Sequence, residues 1–163
     1  EYGWDEEAHP LEEVEERIIE RVVELISADG KPMDGIYQAL DLVESRGLRR
    51  AVASSSRVRV IEAALQALEI ANRFEVVHSA ELELLGKPHP GVYLTTARKL
   101  DLPPTECLAF EDSLAGMEAA KEAGMACIAI PDRTVVGNPG FGRADLVLTS
   151  LADFDESAWV EIL

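Results

Sequence analysis

Apolar residues recur at helical spacing near the start of the chain. Separations of three or four residues place them on one side of a helix, while glutamates occupy the other sides. The apolar positions are Leu11, Val14, Ile18, Val22 and Leu25. Pro10 suits the first helical turn, and Gly30 suits the end of the helix. The segment therefore predicts an amphipathic helix that needs a partner surface.

After a turn at residues 31–35 that contains Pro and Gly, short apolar runs alternate with helical patterns. The predicted strands span residues 49–53, 74–78, 107–110, 125–130 and 145–148. The predicted helices span residues 36–46, 57–68, 91–100 and 114–123. Continuously apolar strands separated by helices indicate an α/β fold with a parallel sheet covered on both faces.

Composition narrows the kind of partner. A chain of 163 residues with 47% hydrophobic content can bury one core of ordinary size. Its formal net charge is -16, and residues 1–30 contribute eleven acidic residues against two arginines. This charge predicts neither nucleic acid nor an anionic membrane as a partner, because both would be repelled. A small anionic substrate would need a local cation or a metal ion.

The two cysteines, Cys107 and Cys127, lie in apolar runs that read as core strands. Two such residues do not make a disulfide framework, which favours a reducing, cytoplasmic setting. No apolar run approaches the ~20 residues that a membrane helix needs.

The first candidate for chemistry is a run of serines, Ser54, Ser55 and Ser56, which follows a predicted strand. One interpretation is structural, because serine is a favoured cap for the helix that follows. The other is functional, because the start of a helix offers unpaired N–H groups and a positive dipole end to a phosphate. The two interpretations are compatible.

A second candidate is Lys87, which lies between Gly86 and the run Pro88–Pro90. In isolation, it reads as a surface lysine in a loop. The surrounding prolines restrict the loop, and that rigidity suits a lysine that presents its charge to one oxygen atom.

The third candidate is the pair Glu111 and Asp112, followed by Ser113 and Gly116. Two adjacent carboxylates at the end of an apolar strand repel each other unless a cation lies nearby, and Mg²⁺ prefers such oxygen ligands. Alternatively, Asp112 or Ser113 only caps the next helix. Gly116 permits a close approach to the start of that helix.

Together, the segments Ala53–Ser54, Gly86–Pro90 and Glu111–Gly116 resemble motifs two, three and four of the haloacid dehalogenase superfamily. The similarity is greatest to its phosphatase and β-phosphoglucomutase-like branch, including hexose and hexitol phosphate phosphatases. This resemblance implies a Rossmannoid core with a helical cap. Residues 1–33 would be part of the cap, and residues 34–163 would be the core.

The resemblance also implies roles for the three candidates. Ser54 and Ser55 would bind the phosphate of a small phosphate ester, and Lys87 would stabilise the charge of the transferring group. Glu111 and Asp112 would hold Mg²⁺. Phosphoryl transfer relies mainly on positioning and on charge neutralisation, so these residue types suit the reaction.

One part of the family pattern is missing from the sequence. Members of the family carry an Asp-x-Asp nucleophile motif after a first, central strand, and no such strand and motif precede Ser54. Asp29 follows a polar helix end, so it is a poor substitute. The sequence therefore predicts that this chain is a fragment. It would lack the first central strand and half of the cap, and it would be inactive alone.

Three alternatives to a sugar-phosphate phosphatase stay open at this point. The first is a β-phosphoglucomutase-like isomerase. The second is a phospho-accepting receiver module, although there the acidic residues come first in the chain and the Lys-Pro pair comes last. The third is a noncatalytic member of the same family.

Overall fold

The structure of the chain is a computed structural model that describes residues 10–162. The helices are α1 Leu11–Asp29, α2 Ile36–Ser45, α3 Val58–Ala67, α4 Gly91–Lys99, α5 Leu114–Glu122 and α6 Glu156–Ile162. The strands are β1 Ala51–Ser54, β2 Val76–Ser79, β3 Leu108–Glu111, β4 Ala126–Ala129 and β5 Leu146–Val147. Every predicted strand and helix is confirmed, and α6 is an addition to the prediction. In the part of the chain that is described, no helix has the length and apolar character needed to span a membrane.

The strands form two parallel sheets. In the first sheet, β1 pairs with β2, and Ser54 lies opposite Ser79. In the second, the strand order is β3-β4-β5, and Glu111 lies opposite Ala129. Parallel strands joined by helices confirm the predicted α/β fold class.

A groove of about 650 Å³ separates the two sheets. Residues of β1, including Ala51 and Ala53, line it together with Leu108 and Phe110 of β3. Helices α2 and α4 also contribute lining side chains. No hydrogen-bonded ladder joins β1 to β3 within residues 10–162. The resemblance implies a first strand at the sheet centre, between the strands that end at Ser54 and Glu111, and this groove lies between those two strands.

The core lies around β4 and α5. Met117, Cys127 and Ile128 are fully buried there. Burial, followed by the nearby charge of Glu111, raises the pKa of the Cys127 thiol to about 12. Cys107 is partly buried, and both thiols are free. The prediction that the cysteines are packing residues is confirmed.

Helix α1 packs against α3. Helix α3 therefore supplies part of the partner surface that the apolar face of α1 needs. Two ion pairs join these helices, Arg57 with Glu15 and Arg59 with Glu16. None of the α1 side chains is buried. The assignment of residues 1–33 to a cap stays a prediction, and residues 1–9 and 163 lie outside the described residues.

Candidate active site

The three predicted polar segments meet at one edge of the molecule. Ser54 is the last residue of β1, and Glu111 is the last residue of β3. The Lys87 ammonium group lies between them, where it donates to the Ala53 carbonyl oxygen at 3.1 Å and to the Glu111 carboxylate. Ligand sites of parallel α/β sheets gather at the carboxyl ends of strands, and these side chains follow that rule.

The serine run forms a turn rather than a helix cap. The N-cap residue of α3 is Arg57, and it makes no side-chain cap hydrogen bond. Ser54 Oγ instead accepts from the Ser56 N–H at 3.1 Å, and Ser79 Oγ donates to the Ser56 carbonyl oxygen at 2.6 Å. The interpretation of these serines as caps is therefore wrong. The Ser54 hydroxyl keeps its proton available for a second hydrogen bond, and Ser55 is exposed beside it.

Lys87 is held by neighbours on three sides. Besides Ala53 and Glu111, its ammonium group bonds the Tyr93 hydroxyl at 3.3 Å and lies 4.7 Å from the centroid of the Tyr93 ring. Its side chain is only 10% exposed. A lysine in such surroundings presents its charge in one direction, as we expected from the prolines that restrict its loop.

Glu111 is a buried carboxylate with several donors. It accepts from Lys87 and from the Tyr93 hydroxyl, and Ser113 Oγ lies 3.4 Å away. Burial, with the Glu111 charge second, raises the pKa of Tyr93 above its ordinary value, so the phenol stays protonated and donates. The close approach predicted at Gly116 is that of Glu111, because a Cβ at this position would overlap the Glu111 carboxylate.

Asp112 differs from its neighbour, because its side chain is exposed. Ser113 caps α5 by accepting from the Gly116 N–H at 3.0 Å, so the capping interpretation is correct for Ser113. Asp112 is thus left at the site edge with an exposed carboxylate. Within residues 10–162, no group of three or more His, Cys, Asp or Glu side chains is arranged to hold a metal ion.

The donor set still fits Mg²⁺ in chemistry. This ion is commonly bound by one or two carboxylates and several water molecules rather than by a complete cage of side chains. Asp112 and Glu111 are adjacent carboxylates at a strand end, although Glu111 already bonds Lys87 and Tyr93. The assignment of both residues to a magnesium site stays a prediction.

Sequence reasoning missed Tyr93, which bonds both Lys87 and Glu111. Its position in the first turn of α4 makes it look like an ordinary core aromatic residue. The usable signal was its separation of six residues from Lys87, across a short loop that ends at the start of the helix.

The chain contains one Asp-x-Asp sequence, at Asp153 and Asp155. It lies between β5 and α6, where both carboxylates bind local backbone. Asp153 accepts from the Ser150 N–H at 3.0 Å, and Asp155 accepts from the Ser157 N–H at 2.8 Å. These aspartates hold a turn and the start of a helix, so they are not a substitute for the missing nucleophile.

Comparison with known proteins agrees with this geometry. The model of the haloacid dehalogenase-like hydrolase family matches residues 1–124, which is most of the chain. The chain belongs to the haloacid dehalogenase-like hydrolase family. The resemblance predicted from the three motifs is thus confirmed.

Relatives within the haloacid dehalogenase-like family include hexitol phosphatase B of Escherichia coli K12, which is 37% identical over 142 residues. That alignment covers 87% of this chain and 64% of the relative, so the chain spans just under two thirds of that length.

Solved structures place the chain in the same fold. CbbY from Rhodobacter sphaeroides in complex with phosphate superposes with a TM-score of 0.81 at 32% identity, covering 88% of this chain and 65% of that one. A β-phosphoglucomutase from Clostridium difficile gives 0.78 at 26% identity, with coverages of 99% and 69%.

Proposed function

We propose that this chain is part of a Mg²⁺-dependent phosphatase. The substrate would be a small phosphate ester of the sugar phosphate class, hydrolysed through an aspartyl-phosphate intermediate. The observation that carries the proposal is the meeting of the β1 end, Lys87 and the Glu111–Asp112 pair at one edge of the sheets. The names of the relatives support a phosphorylated carbohydrate. One is a hexitol phosphatase, and another was solved with phosphate.

Each proposed role rests on the chemistry of a side chain in this chain. Ser54, with Ser55 beside it, would donate hydrogen bonds to the phosphoryl oxygens from the turn after β1. Lys87 would neutralise negative charge on those oxygens as the phosphoryl group transfers. Tyr93 and Glu111 would hold the ammonium group in place, because both bond it. Groups fixed before the reaction need no reorganisation during it, which is why such sites are effective.

Asp112 would be the main carboxylate ligand of Mg²⁺, with Glu111 as its neighbour. When bound, the ion would supply positive charge beside the phosphoryl oxygens.

The nucleophile would come from a segment that this chain does not contain. We place that segment, a strand that ends in Asp-x-Asp, in the groove between β1 and β3, because the groove is apolar and bordered by two strand edges. Residues 1–33 would form part of a cap over the site. The cytoplasmic setting is part of the same proposal.

The test uses a longer protein in which this chain is joined to such a strand, assayed with a hexitol phosphate and Mg²⁺. Lys87→Met should lower kcat by about 10²–10³-fold, the usual cost of removing one charge-stabilising donor. Arg143→Met is the control, since the Arg143 side chain is 53% exposed and pairs with Glu122 rather than with a site residue. Circular dichroism of both variants checks their folding. An unchanged kcat in a folded Lys87→Met variant would contradict the proposal.

A β-phosphoglucomutase-like isomerase is the second candidate, favoured by the likeness to the Clostridium difficile enzyme. The same longer protein separates the two activities. Release of inorganic phosphate in the presence of a hexose phosphate supports the phosphatase. Conversion of one phosphate isomer into another without release supports the isomerase.

A further inference from the structure

A cluster of polar side chains centred on the buried His78 lies next to the loop that leads to Lys87. His78, at the end of β2, is 3% exposed, and its Nε2 lies 2.7 Å from Glu83 Oε1. Lys99 Nζ lies 3.1 Å from the other ring nitrogen, Nδ1. Lysine has no acceptor, so Nδ1 accepts and the His78 proton is on Nε2, from which it is donated to Glu83.

Glu83 connects this cluster of polar side chains to α4 as well. The hydrogen bond from His78, followed by one from the Thr95 hydroxyl, lowers the pKa of the Glu83 carboxyl from its ordinary value. A Cβ placed on Gly91 would lie 3.0 Å from Glu83 Oε2, so the carboxylate abuts the first residue of the helix. Glu83 therefore links β2 to α4 through one side chain.

The leucines of the loop are exposed, although Glu81 lies 3.8 Å from Arg57. Leu82, Leu84 and Leu85 are exposed by 64%, 101% and 58%. Of residues 81–86, Glu83 alone is not exposed. Three residues separate it from Lys87, so the backbone path to the lysine begins at this anchored point.

We propose that the His78–Glu83 pair, braced by Lys99, positions Lys87 for its contacts with Ala53 and Glu111. The inference rests on the proposed role of Lys87 in phosphoryl transfer. Glu83 and His78 are positioning residues, because their contacts reach the site through the loop and through α4. A loop of exposed leucines would otherwise have many conformations, and the ammonium group would be fixed in only a few of them.

The test reads the position of Lys87 without relying on activity. The ammonium group lies 4.7 Å from the Tyr93 ring centroid, so the ring should shift the Lys87 ε-methylene resonance. This resonance can be followed by NMR after ¹³C labelling of lysine, and it is assigned by its loss in Lys87→Met. Glu83→Ala should move it to the position of an unshifted lysine. The methyl resonance of Met117, which is fully buried, should stay in place.

Two variants and a control complete the design. Glu83→Gln should keep the shifted Lys87 resonance, because its amide oxygen can still accept from His78. Glu62→Ala removes an exposed glutamate of α3 and should change nothing. If Glu83→Ala does not fold, Glu83→Asp serves the same purpose, since it withdraws the carboxylate by one methylene. If Glu83→Ala, or Glu83→Asp in its place, is folded and gives the wild-type Lys87 resonance, the proposal is overturned.

The activity of the longer protein gives a second readout. Glu83→Ala should lower kcat by about tenfold with little change in KM, the usual size of an effect from a residue behind the site. If the longer protein hydrolyses no phosphate ester, the proposed function fails, while the NMR result still decides whether Glu83 positions Lys87.

Discussion

At the scale of single residues, the site depends on one buried charge pair. Lys87 and Glu111 have side chains that are 10% and 5% exposed. Removal of charges from water is costly unless their remaining donors and acceptors are satisfied. Tyr93 and the Ala53 carbonyl group satisfy them here. Such a pair is sensitive to any neighbour that moves the Glu111 carboxylate.

Gly116→Ala should be strongly destabilising for this reason. In an ordinary helix, alanine is preferred to glycine by about 1 kcal/mol. At Gly116, the added Cβ would overlap the Glu111 carboxylate, so the carboxylate must leave its contacts with Lys87 and Tyr93. We expect a net loss of about 1–3 kcal/mol in the free energy of unfolding, typical of overpacking.

Urea unfolding followed by circular dichroism measures this loss. Gly142→Ala is the matched control, because a Cβ at Gly142 would meet no atom within 4 Å. Its free energy of unfolding should stay within about 0.5 kcal/mol of the wild type. Equal stability of the two variants would show that Glu111 tolerates displacement.

At the scale of elements, the sequence was most informative where hydrophobic runs are continuous. The strands ending at Ser54 and Glu111 were predictable, because buried parallel strands are apolar throughout. Helix α6 was missed, since it has only seven residues and depends on contacts such as that of Trp159 with Phe154. The hydrogen bond between Lys87 and Glu111 depends on how distant segments meet in space. The sequence could therefore predict the segments that carry these residues, but not the hydrogen bond between them.

The contact between β4 and β5 gives a prediction about pH. Asp145, just before β5, accepts from the Cys127 N–H at 2.7 Å and from Lys121 Nζ at 2.6 Å. Burial raises the pKa of Asp145, but the hydrogen bonds from Lys121 and Cys127 outweigh it, so the pKa is lowered overall. The folded state therefore favours the charged form. Its stabilising effect is complete above the ordinary aspartate value of about 3.9 and is lost as the pH falls below that value.

Asp145→Asn should remove this part of the acid sensitivity. The difference in melting temperature between wild type and variant should be largest near pH 7 and should shrink as the pH falls below about 4. Thermal melts across this range measure it. Asp34→Asn, at an exposed aspartate before α2, serves as the control. A difference that is constant across the range would show that the charge of Asp145 is not responsible.

At the scale of the whole molecule, the separation of the two sheets is the dominant feature. Within residues 10–162, each of the strands β1 and β3 is paired on one side only, and the groove between them is lined mainly by apolar side chains. Unpaired strand edges beside an apolar groove leave backbone groups without partners, which is costly. The groove reaches the candidate site, because Ala53 and Tyr93 line it and both contact the Lys87 ammonium group.

A strand that fills the groove should change both stability and activity. We expect residues 1–163 alone to release no phosphate from a phosphomonoester with Mg²⁺, because within residues 10–162 the one Asp-x-Asp sequence is bonded to local backbone. A protein in which an apolar strand ending in Asp-x-Asp is joined upstream should release phosphate. Its β1 and β3 amides that face the groove should also exchange hydrogen more slowly, since they would gain hydrogen-bond partners. Hydrolysis by residues 1–163 alone, abolished by Asp112→Asn, would refute the need for the added strand.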